Sequence, residues 1–214
     1  MQNKITFRRV VAAIAIAATA SGNALADAFY TNEADFFNAI TSSNYTETFS
    51  SAPAGAFSGP TNFTGNGFTI TANNAVPANG LYKDAIGSTN VLSLGGSQGT
   101  GALTFNFSAN TYAVGGFFFV GDPGVQSATV NLALTLSNAA PINLSTNVNG
   151  FANAYFGWTF DNNQILSLTV SSTSGAGWAS ASEMTVAVPE PSTYALLGLA
   201  AAGFAGFLVR RRRA

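Results

Sequence analysis

The residues that could do chemistry are few, because the 214-residue chain contains no histidine and no cysteine. Ser-His-Asp triads, cysteine nucleophiles and zinc sites built on histidine or cysteine are therefore excluded. Residues 95–99 (GGSQG) match the G-x-S-x-G pattern of hydrolases, but no histidine exists to deprotonate Ser97. We interpret this segment as a glycine-rich turn and expect the chain to have no catalytic residues.

Carboxylates are the remaining candidates for catalysis or metal binding. Two carboxylates at a suitable separation can catalyse glycoside hydrolysis. The acids of this chain are scattered, however, and the sequence does not indicate which two would lie together. Asp122 in Asp-Pro-Gly and Asp161 in Asp-Asn-Asn could supply oxygen ligands to Ca²⁺. Both are also typical of residues that begin turns. We expect no cofactor, with calcium at Asp122 and Asp161 as the alternative.

Aromatic side chains are the other candidate binding groups, since an exposed ring can stack on the apolar C–H face of a sugar. In residues 155–160 (YFGWTF), a period of two places Phe156, Trp158 and Phe160 on one face and Tyr155 on the other. The three-aromatic face is predicted to be core. Tyr155 and Trp178 are the candidate ligand-binding rings. For Trp178, packing at the core or at a sheet edge is an equally favoured alternative.

The N-terminus has the three parts of a secretory signal peptide. Lys4, Arg8 and Arg9 precede an uncharged apolar run at residues 10–20, and Ala24-Leu25-Ala26 forms an A-x-A cleavage site. We predict that residues 1–26 are a signal peptide, cut after Ala26 by signal peptidase once the Sec machinery has exported the chain.

The C-terminus combines a proline motif, an apolar segment and a basic tail. Pro189-Glu190-Pro191 precedes an uncharged run at residues 194–209, and four arginines occupy positions 210–213. Sixteen helical residues span about 24 Å, short of a bilayer core of about 30 Å but able to insert if the arginines reach the headgroups. Arg210, Arg211, Arg212 and Arg213 would stay in the cytoplasm and stop transfer.

These features, in this order, resemble the PEP-CTERM sorting signal of Gram-negative bacteria, over residues 188–214. The resemblance implies recognition by an exosortase, a membrane-embedded cysteine transpeptidase that cuts near Pro189-Glu190-Pro191. The body would then leave the inner membrane, either released or attached to another component at the cell surface. Such proteins are common in bacteria that make exopolysaccharide and form biofilm or floc.

The segment between the two ends is strongly acidic. It contains one basic residue, Lys83, against eight acids, so its formal net charge is −7 although the whole chain has a net charge of −1. A single lysine cannot neutralise a phosphate backbone, and nucleic acid is therefore excluded as a partner.

Apolar residues alternate with Thr, Asn, Ser or Ala through most of residues 45–187. The clearest segments begin at Phe68, Leu103, Val130 and Leu166, and residues 117–120 (FFFV) are apolar on both faces, as in a central strand. Asn32 followed by two acids and Phe36 predicts one short helix before them. Eight to eleven strands separated by Gly/Asn turns predict one mainly-β domain at residues 27–187, a jelly-roll-like sandwich similar to the lectin-like domains found before this signal.

The sequence therefore predicts a non-enzymatic protein of the cell surface or extracellular matrix that associates with exopolysaccharide. The alternative is a carbohydrate-binding module with a defined glycan ligand, calcium-dependent or not. A glycoside-active enzyme is the third hypothesis.

Overall fold

The computed structural model of the chain describes residues 27–40, 43–75, 80–95, 101–108, 110–121, 128–149, 153–172 and 177–188. These residues form one helix, α1 (Glu33–Ala39), and fourteen strands. The strands are β1 (Ala28–Tyr30), β2 (Asn44–Glu47), β3 (Gly55–Phe57), β4 (Thr61–Gly65), β5 (Phe68–Asn74), β6 (Leu81–Ile86), β7 (Thr89–Leu94), β8 (Ala102–Phe107), β9 (Ala113–Val120), β10 (Ala128–Leu136), β11 (Ile142–Val148), β12 (Tyr155–Thr159), β13 (Ile165–Ser172) and β14 (Ala179–Ala187).

The strands form two antiparallel sheets. Sheet 1 has the order β1-β12-β9-β14-β7-β6-β3, with β2 paired to one end of β14, and sheet 2 has the order β11-β10-β13-β8-β5-β4. The predicted mainly-β class with a single short helix is confirmed. The strands outnumber the eight to eleven expected, because β1, β2 and β3 have only three or four residues and are too short to show alternation.

One hydrophobic core lies between the sheets and draws side chains from both. Strands β5 and β10 alternate between buried and more exposed positions, as expected for strands with one solvated face. Strand β9 is buried along nearly its whole length between β12 and β14, which confirms the central position expected for residues 117–120.

The predicted alternation is wrong at Leu166, which is 44% exposed. A register shift in the β10–β13 ladder places Ile165 opposite Leu136 and Ser167 opposite Thr135. The irregularity inserts one residue at the start of β13, so Ile165 points into the core and Leu166 points to solvent.

Helix α1 begins where the sequence predicts, because the Asp35 backbone N–H donates to Oδ1 of the N-cap Asn32 at 3.2 Å. The helix covers part of the outer face of sheet 1 through the fully buried Phe36. Phe36 and Ile40 form a second hydrophobic cluster there with Ala113, Tyr155 and Ala187.

The described residues all belong to one compact unit. Residues 27–188 contain every described strand and both hydrophobic clusters, so a fragment of these residues has its own core and can be studied alone. No helix among the described residues is long and apolar enough to cross a membrane. The expected span at residues 194–209 lies outside the described residues.

Candidate functional site

Among the described residues, the structure does not bring the ligand-binding candidates that the sequence suggests together at one site. Trp178 is half-buried against the core, and its carbonyl accepts a hydrogen bond from the Gly121 N–H at 2.9 Å. Tyr155 was expected on an open face, but α1 covers that face and leaves Tyr155 4% exposed, so its ring cannot stack on a sugar. Asp161 lies in the bend after β12. Asp122 lies outside the described residues, as do the cleavage, sorting and stop-transfer residues.

A groove of about 290 Å³ opens where an edge of sheet 1 meets an edge of sheet 2. Strand β1 forms the sheet 1 edge and β11 forms the sheet 2 edge. The lining residues come from these two strands and from β12 with its flanking residues, and they are Asp27, Ala28, Phe29, Ile142, Asn143, Leu144, Trp158 and Phe160. Most of the lining is therefore apolar, with polar groups from Asp27 and Asn143.

Phe29 is the exposed aromatic ring of the groove. It is 47% exposed, although it lies in a strand, because β1 is the last strand of sheet 1 and none of the described strands covers it. Its ring centroid lies 5.3 Å from that of Trp158 and 6.2 Å from that of Phe156, and the Phe29 and Phe156 planes differ by only 11°. The buried Trp158 and Phe156 thus fix the position of a ring whose other side is open.

The Asp27 carboxylate lines the groove, and the Asp161 carboxylate lies near that of Asp27. Oδ1 of Asp27 accepts a hydrogen bond from the backbone N–H of Asp161 at 3.2 Å, which links the start of β1 to the bend after β12. Burial, together with the negative charge of Asp27, raises the pKa of the Asp161 carboxyl above its usual value. Carboxylate oxygens therefore provide negatively charged hydrogen-bond acceptors at the rim of the groove.

The arrangement suits a polyhydroxylated ligand better than it suits a reaction. An aromatic ring can pack against C–H groups, while Asp27, Asp161 and the amide of Asn143 can exchange hydrogen bonds with hydroxyls. Among the described residues, no group of three or more His, Cys, Asp or Glu side chains is placed to hold a metal ion.

Glu47 is a buried carboxylate of the described body, at 6% exposure, and its contacts are structural. Its two oxygens accept hydrogen bonds from the Tyr45 hydroxyl and the Phe49 backbone N–H. Burial first, and then the contact with Glu47, raises the pKa of the Tyr45 hydroxyl. Glu47 thus fixes the turn after β2, where Phe49 has a positive φ of 54°.

A second group of acids lies beside α1. Burial, with a contribution from the negative charge of Glu183, raises the pKa of Glu33 above its ordinary value of 4.5. Burial, and then the charge of Glu33, also raises the pKa of Tyr155. The Tyr155 hydroxyl is buried and has no hydrogen-bond partner among the described residues.

Glu33→Gln is expected to stabilise the folded body at neutral pH. A carboxyl whose pKa is raised by folding disfavours its charged form, so its contribution to stability is present at low pH and is lost as the pH rises through the raised pKa. Because Glu33 is partly solvated, we expect a gain in Tm of only about 1–2 °C at pH 7, and none below pH 4. Thermal unfolding of residues 27–188 across this pH range measures it.

Asp35→Asn is the matched control, because both acids lie in the first turn of α1 and each change removes one negative charge from the helix N-terminus. It should not raise the Tm. An equal gain for both variants at pH 7 would assign the effect to the net charge of the body rather than to Glu33.

The groove residues that matter were missed in the sequence. Asp27 and Phe29 adjoin the signal peptide, and Asn143 lies in a plain alternating strand. No local pattern marks them, because the groove forms only when β1 and β11, more than a hundred residues apart, become neighbouring edges.

Comparison with known proteins bears on the C-terminus. A family model described as the PEP-CTERM protein-sorting motif matches residues 187–213. The chain carries a PEP-CTERM sorting motif. The resemblance of residues 188–214 is thereby confirmed, and the PEP-CTERM motif implies an exported protein that an exosortase processes.

The other comparisons add little to the PEP-CTERM assignment. No curated protein matches the chain. Among solved structures, TmCBM61 in complex with β-1,4-galactotriose matches with 11% sequence identity over 55% of this chain and 80% of that chain. The TM-score of 0.26 is too low for this likeness to carry an argument.

Proposed function

We propose that this protein is a non-catalytic component of the cell surface or extracellular matrix, sorted by an exosortase and associated with exopolysaccharide. The observation that carries the proposal is the PEP-CTERM motif at residues 187–213. The motif accounts for both ends of the chain, since export by an N-terminal signal must precede processing of a C-terminal segment that remains in the inner membrane.

The composition of the body supports a binding role. With no histidine and no cysteine in the chain, the common nucleophile and base pairs cannot be assembled. Among the described residues, Asp27 is the one acid in the groove lining and it is exposed, so the groove offers no pair of carboxylates of the kind that a glycosidase uses. A glycoside-active enzyme is therefore the least supported of the three hypotheses.

The groove at Phe29 is the proposed contact with the polysaccharide. A fixed ring with one open side shares the groove lining with the Asp27 carboxylate and the Asn143 amide, so the groove offers both apolar and hydrogen-bonding contacts to a sugar chain. The opposite edge of sheet 1 ends in β3, which contributes nothing to the groove.

Phe29→Ala is expected to weaken binding of residues 27–188 to exopolysaccharide purified from the host by about tenfold, which corresponds to about 1.4 kcal/mol. The reason is the loss of the ring that stacks on the sugar, while Trp158 and Phe156 keep the strand edge packed. Affinity gel electrophoresis with the polysaccharide in the gel measures the change.

Leu166→Ala and Tyr82→Ala are matched controls. These side chains are 44% and 41% exposed, similar to Phe29, but neither lines the groove. Both variants should migrate like the unchanged protein. Equal losses in all three variants would indicate nonspecific hydrophobic adsorption and argue against the groove.

The second candidate is a carbohydrate-binding module with one defined glycan ligand, calcium-dependent or not. Its calcium-dependent form would use Asp27 and Asp161, since the two carboxylates lie close enough to interact and could supply oxygen ligands to Ca²⁺. A glycan array probed with and without a chelator distinguishes the candidates. One retained oligosaccharide identifies a module, and loss of retention with chelator identifies its calcium dependence.

A further inference from the structure

Sheet 2 carries no charged residue in any of its six strands. Every charge of the described residues lies in sheet 1, in α1 or in the bends, including Lys83 and Asp84 in β6, Glu47 in β2 and Glu183 in β14. The side chains on the solvated face of sheet 2 are instead nearly all Ser, Thr or Asn. They hydrogen-bond across the strands, as in Thr104–Thr169 at 3.1 Å and Thr129–Asn147 at 2.7 Å.

The sheet ends at an edge strand that has none of the usual protection. Strand β11 is seven residues long and pairs with β10 along its full length without a register shift. On its other side no strand pairs with it among the described residues. Natural edge strands are usually short, bulged, or marked by Lys or Pro, because an open edge binds other strands. Residues 142–148 (INLSTNV) have none of these features.

The other edges are shorter or shielded. Strands β1 and β3 have three residues each, and β2, which pairs only with β14 among the described strands, has four. At β4, which has five residues, the Tyr45 ring lies against Gly65, and the side-chain amide of Asn66 donates to the Asn44 carbonyl at 2.8 Å. Strand β11 is therefore the best template for pairing with a further strand.

Strand β11 keeps the same alternation of inward and outward side chains when it is reversed about its central residue, Ser145. An antiparallel copy centred there places Asn143 opposite Asn147 and Leu144 opposite Thr146. Ile142 then faces Val148, and each inward side chain of the strand meets another inward side chain. No like charges meet at this edge, although two copies of the body carry a net charge of −7 each.

We propose that β11 pairs with β11 of a second copy of this chain, in antiparallel register centred on Ser145. The two six-stranded sheets then form one sheet of twelve strands with both cores on the same side. Ile142 and Leu144 also line the groove, so β11 contributes to both the groove and the proposed dimer edge. The dimer does not depend on glycan binding, and its test uses protein without glycan.

Ser145→Cys gives a direct test, because the chain has no other cysteine. Directly opposed residues of an antiparallel pair have Cα atoms about 4.5–5.5 Å apart, which is within the range of a disulfide. Residues 27–188 with Ser145→Cys should form a covalent dimer under mild oxidation at least about tenfold faster than the control described next, since pairing raises the effective thiol concentration. Non-reducing electrophoresis measures the rate.

Asn62→Cys is the matched control, exposed on the same sheet but in β4 at the opposite edge. The register is tested by mixing Asn143→Cys with Asn147→Cys, which should crosslink faster as a mixture than either variant alone. Ser145→Lys should lower the dimer fraction of the cysteine-free body in sedimentation velocity without changing its circular dichroism. Equal rates for Ser145→Cys and Asn62→Cys, or a body that sediments only as a monomer, would overturn the proposal.

Discussion

Replacing Pro189 and Pro191 together by alanine is expected to leave the full-length chain in the inner membrane with its C-terminus intact. The unchanged protein is expected to lose that terminus and leave the membrane. Each proline fixes its own φ and keeps the preceding residue out of the helical region, so we expect the pair to keep the motif extended. Without the prolines, we expect the predicted membrane helix to extend into the segment that the exosortase must reach. Mass spectrometry of the C-terminus from membrane and surface fractions measures the result.

The structure explains why this change should leave the body unaffected. Strand β14 ends at Ala187, and Val188 still packs against the core and donates from its N–H to the Ser43 carbonyl at 3.3 Å. The matched motif therefore begins just where the sandwich ends. Processing anywhere beyond Val188 therefore removes none of the described strands.

Two further variants separate sorting from simple anchoring. Pro141→Ala changes the proline immediately before β11 and should be processed normally. A chain that ends at Val188 should be exported directly, because it has neither the proline motif nor the apolar run. If the unchanged protein keeps Arg210–Arg213 and stays in the membrane, the segment is an ordinary anchor and the proposed sorting is wrong.

The parts of the fold that were predictable are those set by local chemistry. The cap at Asn32 needs only an acceptor side chain three residues before the Asp35 N–H, and this is visible in the sequence. Strands β5, β8 and β10 are long enough to alternate, and Asn66-Gly67 forms the expected turn between β4 and β5, with both residues at positive φ.

The parts that were not predictable depend on contacts between distant segments. Tyr155 alternates correctly with Phe156, but only the packing of α1 on sheet 1 decides that both faces of β12 are buried. Leu166 has the right period, and a single-residue irregularity against β10 reverses it. The groove depends on which strands lie at the edges, and sequence alternation does not reveal strand order.

The contact between α1 and sheet 1 leads to the second large expected effect, the destabilisation of the body by Phe36→Ala. The Phe36 ring is fully buried and lies against Gly115 and Gly157, which are register partners in β9 and β12. Truncating a buried phenylalanine costs about 3–5 kcal/mol, a large part of the total stability of a domain. Urea unfolding of residues 27–188 should show a much lower midpoint with an unchanged m-value.

The two glycines are expected to be coupled to this ring. A Cβ at Gly157 would lie 2.6 Å from Cδ2 of Phe36, and one at Gly115 would lie 2.9 Å from Cε1. Gly157→Ala should therefore cost about 1–3 kcal/mol by displacing the ring, even though alanine favours strands at least as well as glycine. In the Phe36→Ala background the added methyl group meets open space, and we expect its cost to fall by at least about 1 kcal/mol.

Phe37→Ala serves as the control, because Phe37 belongs to the same helix but is only half-buried and supplies none of the atoms nearest to a Cβ at Gly115 or Gly157. Its cost should be smaller than that of Phe36→Ala and should add to that of Gly157→Ala without coupling. Additive costs for Phe36→Ala and Gly157→Ala would show that the ring does not occupy the space above the two glycines. The outer face of sheet 1 would then be open at Tyr155. Phe29 would no longer be better placed than Tyr155 to stack on a sugar.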